Sequence, residues 1–431
     1  MPSNNAQREL RLQRAVMLYI ITGIVFMLLP GTFLGVWNLV SISSRHTAAS
    51  LSPAWLQAHG HAQLFGWIGT FVLGIGFYSL SKMGRLPAFA VSRAWQCYAL
   101  WTTGVALRWI TNVTAWNWRI ALPASAIFEV AGFLVFFRTV AGHRPETPTS
   151  APHKRESWML VVVASTVGFL ITLLANLVAA IDAAATGNGP AISSTLDQRL
   201  LLLPTWAFLV PTVWGFNARW LPVFLGLKRP KDGPLFAAVG VVFIAVFAGL
   251  LGFTVFASTL LPIAAVLSII ALRVFEPASQ PPKTTGVHPT FPIFPRIAYG
   301  WLLIAAALSV WAALADTHGG IWGASRHALT VGFLAVMVFA IGQRVLPAFC
   351  GARVLFSPAL MFASLALLNL GCGLRVASEI PSYEGYAHQA WSVLPISAVT
   401  ELTAVTLFGL NLLLTFVRLP AHLMRQQEAN A

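Results

Sequence analysis

Two short stretches place side chains able to do chemistry inside a largely apolar chain. One is AHGHAQLFGWIGTFVLGIGFYSL, Ala58 to Leu80, which opens with His59 and His61. The other is RHALTVGFLAVMVFAIGQRVLPAF, Arg326 to Phe349, which opens with Arg326 and His327. Neutral imidazole ligates transition metals and titrates near physiological pH. Ionisable residues in apolar spans are costly to bury, so they mark an interior or cavity-facing site. Positions two apart on an α-helix differ by about 200° of rotation, so His59 and His61 point to nearly opposite sides. They cannot both bind one ion. One is expected to serve a metal centre, and the other a second metal or a hydrogen bond.

The elements that carry these residues follow from composition. Of 431 residues, 57% are hydrophobic and only 9% charged, whereas about a quarter of a soluble protein is charged. This composition indicates an all-α polytopic membrane protein forming a single transmembrane domain. Runs of roughly 20 apolar residues mark spans, and twelve are predicted: 15–40, 59–81, 92–111, 120–141, 157–181, 199–225, 234–253, 255–275, 296–315, 326–349, 357–377 and 389–418. The polar segment Met1 to Arg14 runs directly into a full span, so no cleavable signal peptide is expected. Alternate loops collect most of the Lys and Arg, including Arg8, Arg11, Lys82, Arg138, Arg219, Lys228 and Lys231. Only Arg45, Arg108, Arg119, Arg199, Arg326 and Arg375 fall at the other end. The positive-inside rule then predicts both termini in the cytoplasm of a bacterial inner-membrane protein. The net charge of +14 is read as this orientation signal and not as a nucleic-acid surface. Cys97, Cys350 and Cys372 show no CxxC spacing, so neither a disulfide framework nor a thiolate metal site is indicated.

Internal similarity divides the spans into three repeats of four, at about 1–150, 151–285 and 286–431. LPASAIFE (Leu122 to Glu129), LPIAAVLS (Leu261 to Ser268) and LPISAVTE (Leu394 to Glu401) recur at the fourth, eighth and twelfth spans. RWLPVFLG from Arg219 echoes RVLPAFCG from Arg344, and HAQLFGW from His61 echoes HALTVGF from His327. GVALR and GCGLR place Arg108 opposite Arg375. Repeats one and three thus keep His61/His327, Arg108/Arg375 and Glu129/Glu401. The middle repeat has Leu202, Phe253 and Ser268 at those places. A polar set retained in two repeats and missing from the third points to one site shared by the first and last.

A His from each of two helices, one on each face of a macrocycle, is a common way to hold haem iron. The expected ligands are His327 with His59 or His61. Arg108 and Arg375 would bind the propionates through charge-assisted pairs, with Arg326 and Arg119 as further candidates. His388 and His318, at the same end, are additional candidates for a metal. Glu129 and Glu401 are deep carboxylates expected to hydrogen-bond within the bundle or pass a proton. His143, His153, His288 and His422 are assigned to loops or the tail.

The histidine spans, the three arcs of four helices and the outline SRHALTVGF…RVLPAFCG resemble the haem-copper oxidase subunit I superfamily. In that resemblance His327 falls on the ligand of a six-coordinate haem, and Ser325 stands where the high-spin haem ligand would be. The sixth and seventh spans hold no His for a copper centre. The resemblance therefore implies no oxygen-reducing binuclear centre and makes terminal oxidase activity an unfavoured reading. HALTVG (His327 to Gly332) with His59-Gly60-His61 is similar to the NnrS-like branch of membrane haem proteins. That resemblance implies haem, b-type as the expectation, with copper as a second candidate and a role in tolerance of nitric oxide. A small redox partner at the outer face would also be consistent with it. Alternatives are a cytochrome b-like electron-transfer protein or a haem-copper oxidase-related reductase, a transporter of metal or small molecules, and a scaffold with degenerate sites. If there is turnover, the expected class is a haem-dependent oxidoreductase, and no proton channel is traceable.

Overall fold

A computed structural model describes residues 4–83, 88–142, 156–349 and 354–418. His143, His153, His422 and Cys350 lie outside these residues. Among the described residues the chain is helical, with twelve long helices. They are α1 (Gln7–Arg45), α2 (Pro53–Lys82), α3 (Val91–Thr114), α4 (Trp118–Ala141), α5 (Ser157–Thr186), α6 (Ser194–Leu225), α7 (Asp232–Leu250), α8 (Thr254–Leu272), α9 (Ile293–Ala315), α10 (Gly320–Phe349), α11 (Pro358–Tyr383) and α12 (Ala390–Val417). These correspond to the twelve predicted spans. The break expected near Phe253 falls between α7 and α8, where Gly252 takes a φ of 92° that only glycine adopts without strain.

Eleven of the twelve are long and apolar enough to cross a membrane. The exception is α3, whose Arg93, Gln96, Arg108 and Asn112 interrupt the apolar run. Two of these, Arg108 and Asn112, are buried, so the second half of α3 turns its polarity inward, while Arg93 and Gln96 are exposed near its start. The helices differ sharply in burial. In α2, α6 and α10 the most apolar stretch is 83%, 72% and 78% buried, against 39% to 44% in the other apolar spans. The second helix of each repeat therefore forms an inner ring and the rest form an outer shell. The outer face of α5 shows why: Val163, Val167, Ile171, Leu174, Val178 and Ile181 are exposed at helical spacing, a stripe suited to lipid.

The repeats share structural devices as well as letters. Each inner helix contains a π-helical segment at the same place, Ala62–Gly69 after His61, Leu203–Leu209 after Leu202 and Ala328–Ala335 after His327. Pro123, Pro262 and Pro395 recur inside α4, α8 and α12. The last two helices of each repeat pack as a close antiparallel pair, and α12 closes the ring against α1. Aromatic contacts fasten the inner ring: Trp67 of α2 meets Phe339 of α10 edge-on at 6.0 Å, and Phe339 stacks on Phe408 of α12 at 3.9 Å.

Candidate functional site

The site lies at the end of the bundle remote from the basic loops, where α2 and α10 begin. Its first element is a π-helical segment in α1, Met27–Phe33, which contains Pro30. Such a segment loosens the regular ladder and turns carbonyls toward neighbours. Trp109 donates to the Pro30 carbonyl at 3.1 Å, and His59 Nδ1 donates to the Gly31 carbonyl at 2.9 Å. The His59 ring lies against Gly35, where an added Cβ would come within 2.5 Å of its Cε1. Because Nδ1 carries the proton, Nε2 of neutral His59 holds a lone pair available to a metal.

His327, at the matching depth of α10, is held the same way. Its Nδ1 donates to the Gly323 carbonyl at 3.1 Å and stands 3.4 Å from Glu379 Oε2. Its side chain keeps 28% exposure inside a tight bundle. The charge of His327 acts on His59, as does that of Arg375, so α2 and α10 bring the two imidazoles into one electrostatic neighbourhood.

His61 takes a different direction. Its Nε2 is 2.7 Å from Glu129 Oε1, its ring stacks on Phe65 at 4.4 Å, and both partners of the pair are buried. Glu129 reaches it because α3 and α4 cross at a glycine. A Cβ on Gly104 would sit 2.8 Å from both Glu129 Cγ and the Ser125 carbonyl. The third repeat repeats this crossing: a Cβ on Gly371 would sit 2.6 Å from Glu401 Cγ and 3.2 Å from the Ser397 carbonyl. Glu401 lies within the electrostatic reach of His327 and Arg375 but leaves Oε1 without a hydrogen-bond partner.

The arginines belong to an open series of alternating charges. Arg375 Nη2 bonds Glu379 Oε1 at 2.9 Å, one helical turn along α11. Glu379 also feels His327 and Arg326. Asp197, in the first turns of α6, is within electrostatic reach of Arg326 of the third repeat and Arg108 of the first. Arg108 in turn faces Glu129. Sequence reading missed Asp197 and Glu379. The Arg375/Glu379 spacing of four is a legible helical pair. Asp197 carries no comparable signal, because its partners come from two other repeats.

Other candidates stand apart. Arg119 donates to the Ala184 carbonyl at 3.0 Å and lies over the Trp118 ring at 4.6 Å, on the exposed edge between α4 and α5. His318 is exposed in the loop before α10, where Asp316 accepts its backbone N–H at 3.2 Å. Nearby Glu384, past the end of α11, is desolvated at its rim; the hydrogen bond from Thr317 nonetheless holds its pKa below the ordinary carboxylate value. His388 is exposed and contacts His46. His288 bonds Thr290 in a loop. In the middle repeat, Leu202 fills the space over Gly249, and Phe169 stacks on Phe208 at 3.8 Å.

The donor set fits a haem. Two imidazoles have Nδ1 fixed by backbone carbonyls, the arrangement that orients metal-binding histidines. Arg108 and Arg375, 3% and 7% exposed, keep Nε and Nη1 without partners. Unsatisfied buried guanidinium donors are costly, and a pair of carboxylates would satisfy them. Among the described residues no group of three or more His, Cys, Asp or Glu forms a metal cluster.

Residues 157–415 match a family described as a domain of unknown function (DUF8744). No curated protein matches the chain. Among solved structures, a heme-copper terminal oxidase dimer determined by cryo-EM matches with a TM-score of 0.70 at 11% identity, over 95% of this chain and 85% of that one. Identity so low establishes a shared fold and nothing finer.

Proposed function

The chain belongs to the DUF8744 family, and from that premise we propose that it is a membrane haem protein whose iron is held between His59 and His327. The observation that carries this reading is the matched pair of Nδ1–carbonyl bonds, at 2.9 and 3.1 Å, on two imidazoles of which His59 lies within the electrostatic reach of His327. His61 is engaged at Nε2 by Glu129 and takes a supporting part.

Arg375 and Arg108 would receive the propionates, each offering its unpaired donors, and Arg326 would add positive charge through its link to Asp197. Asp197, Glu379 and Glu401 balance these arginines. Haem held by His59 and His327 would supply a one-electron couple. On the α6 side Leu202 and Phe208 present apolar surface, and the Gly31 and Gly323 carbonyls hold both imidazoles in one tautomer. In the bacterial inner membrane, the location proposed here, the basic loops support an orientation with both termini cytoplasmic, which puts the haem near the outer face. The likeness of HALTVG and His59-Gly60-His61 to the NnrS-like branch supports a role in tolerance of nitric oxide. The absence of any His from α6 and α7 argues against oxygen reduction at a second metal.

Purified protein, expressed with ample haem, is expected to show a Soret band and sharp α/β bands on reduction. His59→Ala and His327→Ala should each abolish the six-coordinate spectrum, while His61→Ala keeps it. A colourless protein, or a spectrum indifferent to His59 and His327, would sink the proposal. Nitric-oxide sensitivity of cells carrying the same variants tests the physiological role separately.

A further inference from the structure

We propose that His46 and His388 form a binding site for one divalent transition-metal ion of the zinc or copper class, at the seam where the first helix meets the last. His46 caps the end of α1 and His388 lies just before α12, so the two come from opposite ends of the chain. Neither belongs to the haem ligand set.

Their rings stand 4.5 Å apart, centroid to centroid, at an interplanar angle of 78°. Imidazole nitrogen binds zinc at about 2.0–2.1 Å, which puts the ring centroid about 3.2 Å from the metal. Two such rings subtending about 90° to 109° at one ion have centroids about 4.5 to 5.2 Å apart. The observed separation falls at the near end of that interval, so rotation of the side chains is enough to turn two nitrogens onto a shared ion.

Both backbones are fixed by helices. His46 adopts a left-handed φ of 53° with its N–H bonded to the Ile42 carbonyl. Left-handed backbone at a residue other than glycine is costly and persists only where the surroundings hold it. The His46 ring also packs on Trp391 at 5.5 Å. The His388 carbonyl accepts the Trp391 N–H at 3.2 Å, which ties His388 to the start of α12. Beneath the pair, Leu39, Ile42, Trp391, Leu394 and Ala398 form a separate apolar cluster that joins α1 to α12. That cluster gives the rings a dry, rigid floor. Both histidines are exposed above it, so an ion has access and water can fill its remaining positions. Imidazole donors without carboxylates favour zinc, copper or nickel over magnesium or calcium. A bound ion would cross-link the first repeat to the third and lock the closure of the helix ring.

The test is calorimetric titration of the full-length protein in detergent, stripped with EDTA, using Zn²⁺ and then Cu²⁺. Wild type should take up one ion at this site. His46→Ala and His388→Ala should each weaken it by at least the roughly 10–100-fold expected for an outer-shell ligand defect, and the double variant should be no worse than either. Hydrogen exchange around Trp391 should slow with Zn²⁺ in wild type alone, with circular dichroism unchanged in every variant. Titrations in which His46→Ala and His388→Ala both match wild type would overturn the site. So would loss of the ion in only one of them.

Discussion

Removing His61 separates support from ligation, and its cost can be worked from the geometry. His61 is 8% exposed and Glu129 1% exposed, with Glu129 Oε2 already without a partner. His61→Ala would leave both carboxyl oxygens unpaired in the bundle. An unsatisfied buried polar group costs about 1–3 kcal/mol. Loss of the ring stacked on Phe65 adds about 0.5–1.5 kcal/mol. The expected destabilisation is therefore about 1.5–4.5 kcal/mol. Replacing both partners, as in His61→Leu with Glu129→Met, should recover at least half of it, because an apolar pair leaves no orphaned group. The assay is equilibrium unfolding in mixed SDS micelles, followed by tryptophan fluorescence, with haem content measured by pyridine haemochrome. His61→Ala should be unstable but pigmented, and His59→Ala should be closer to wild type in stability but depleted of haem. The reverse pattern, a haem-free His61→Ala beside a fully loaded His59→Ala, would refute the assignment of ligand and support.

Further outcomes follow from individual contacts. Gly104→Ala and Gly371→Ala should each destabilise the bundle by about 1–3 kcal/mol through overpacking, since each Cβ would press on a glutamate Cγ and a serine carbonyl. Gly373→Ala, on the same helix as Gly371 and facing open space, should be neutral or gain up to about 1 kcal/mol in helix propensity; SDS unfolding compares all three. Arg375→Gln should lower haem retention in a dialysis assay and cost about 3–5 kcal/mol by stranding buried Glu379. Arg375→Lys should rescue it poorly, because an ammonium lacks the planar fork. Asp197→Asn removes a negative charge within electrostatic reach of Arg108 and Arg326 and should raise the midpoint potential in a redox titration, with haem content unchanged. A lowered potential would contradict the placement of that charge beside the cofactor.

The relation between His59 and His61 marks the limit of the sequence most clearly. Their opposed directions were legible from spacing alone, but nothing in the sequence states which direction faces α10. The answer depends on the Gly31 carbonyl exposed by a π-helical segment of α1 and on the carboxyl of Glu129 across the Gly104 crossing. Both are contacts between segments far apart in the chain. Asp197 was missed for the same reason. Arg119 and His318 looked equivalent to the interior set by depth, yet one lies on an outer edge and the other in a loop.

By itself the sequence determined the spans, the orientation expected from their loops and the threefold repeat. Hydropathy, charge asymmetry and recurring motifs are properties of short segments and survive without knowledge of packing. Only the tertiary structure decided the inner ring of α2, α6 and α10, the separation of His59 from His61, the approach of Asp197 to arginines of two other repeats, and the meeting of His46 with His388. Each of these depends on helix azimuth and on which helices touch. Azimuth is reset at every π segment, and neighbours are selected by the closure of the whole bundle.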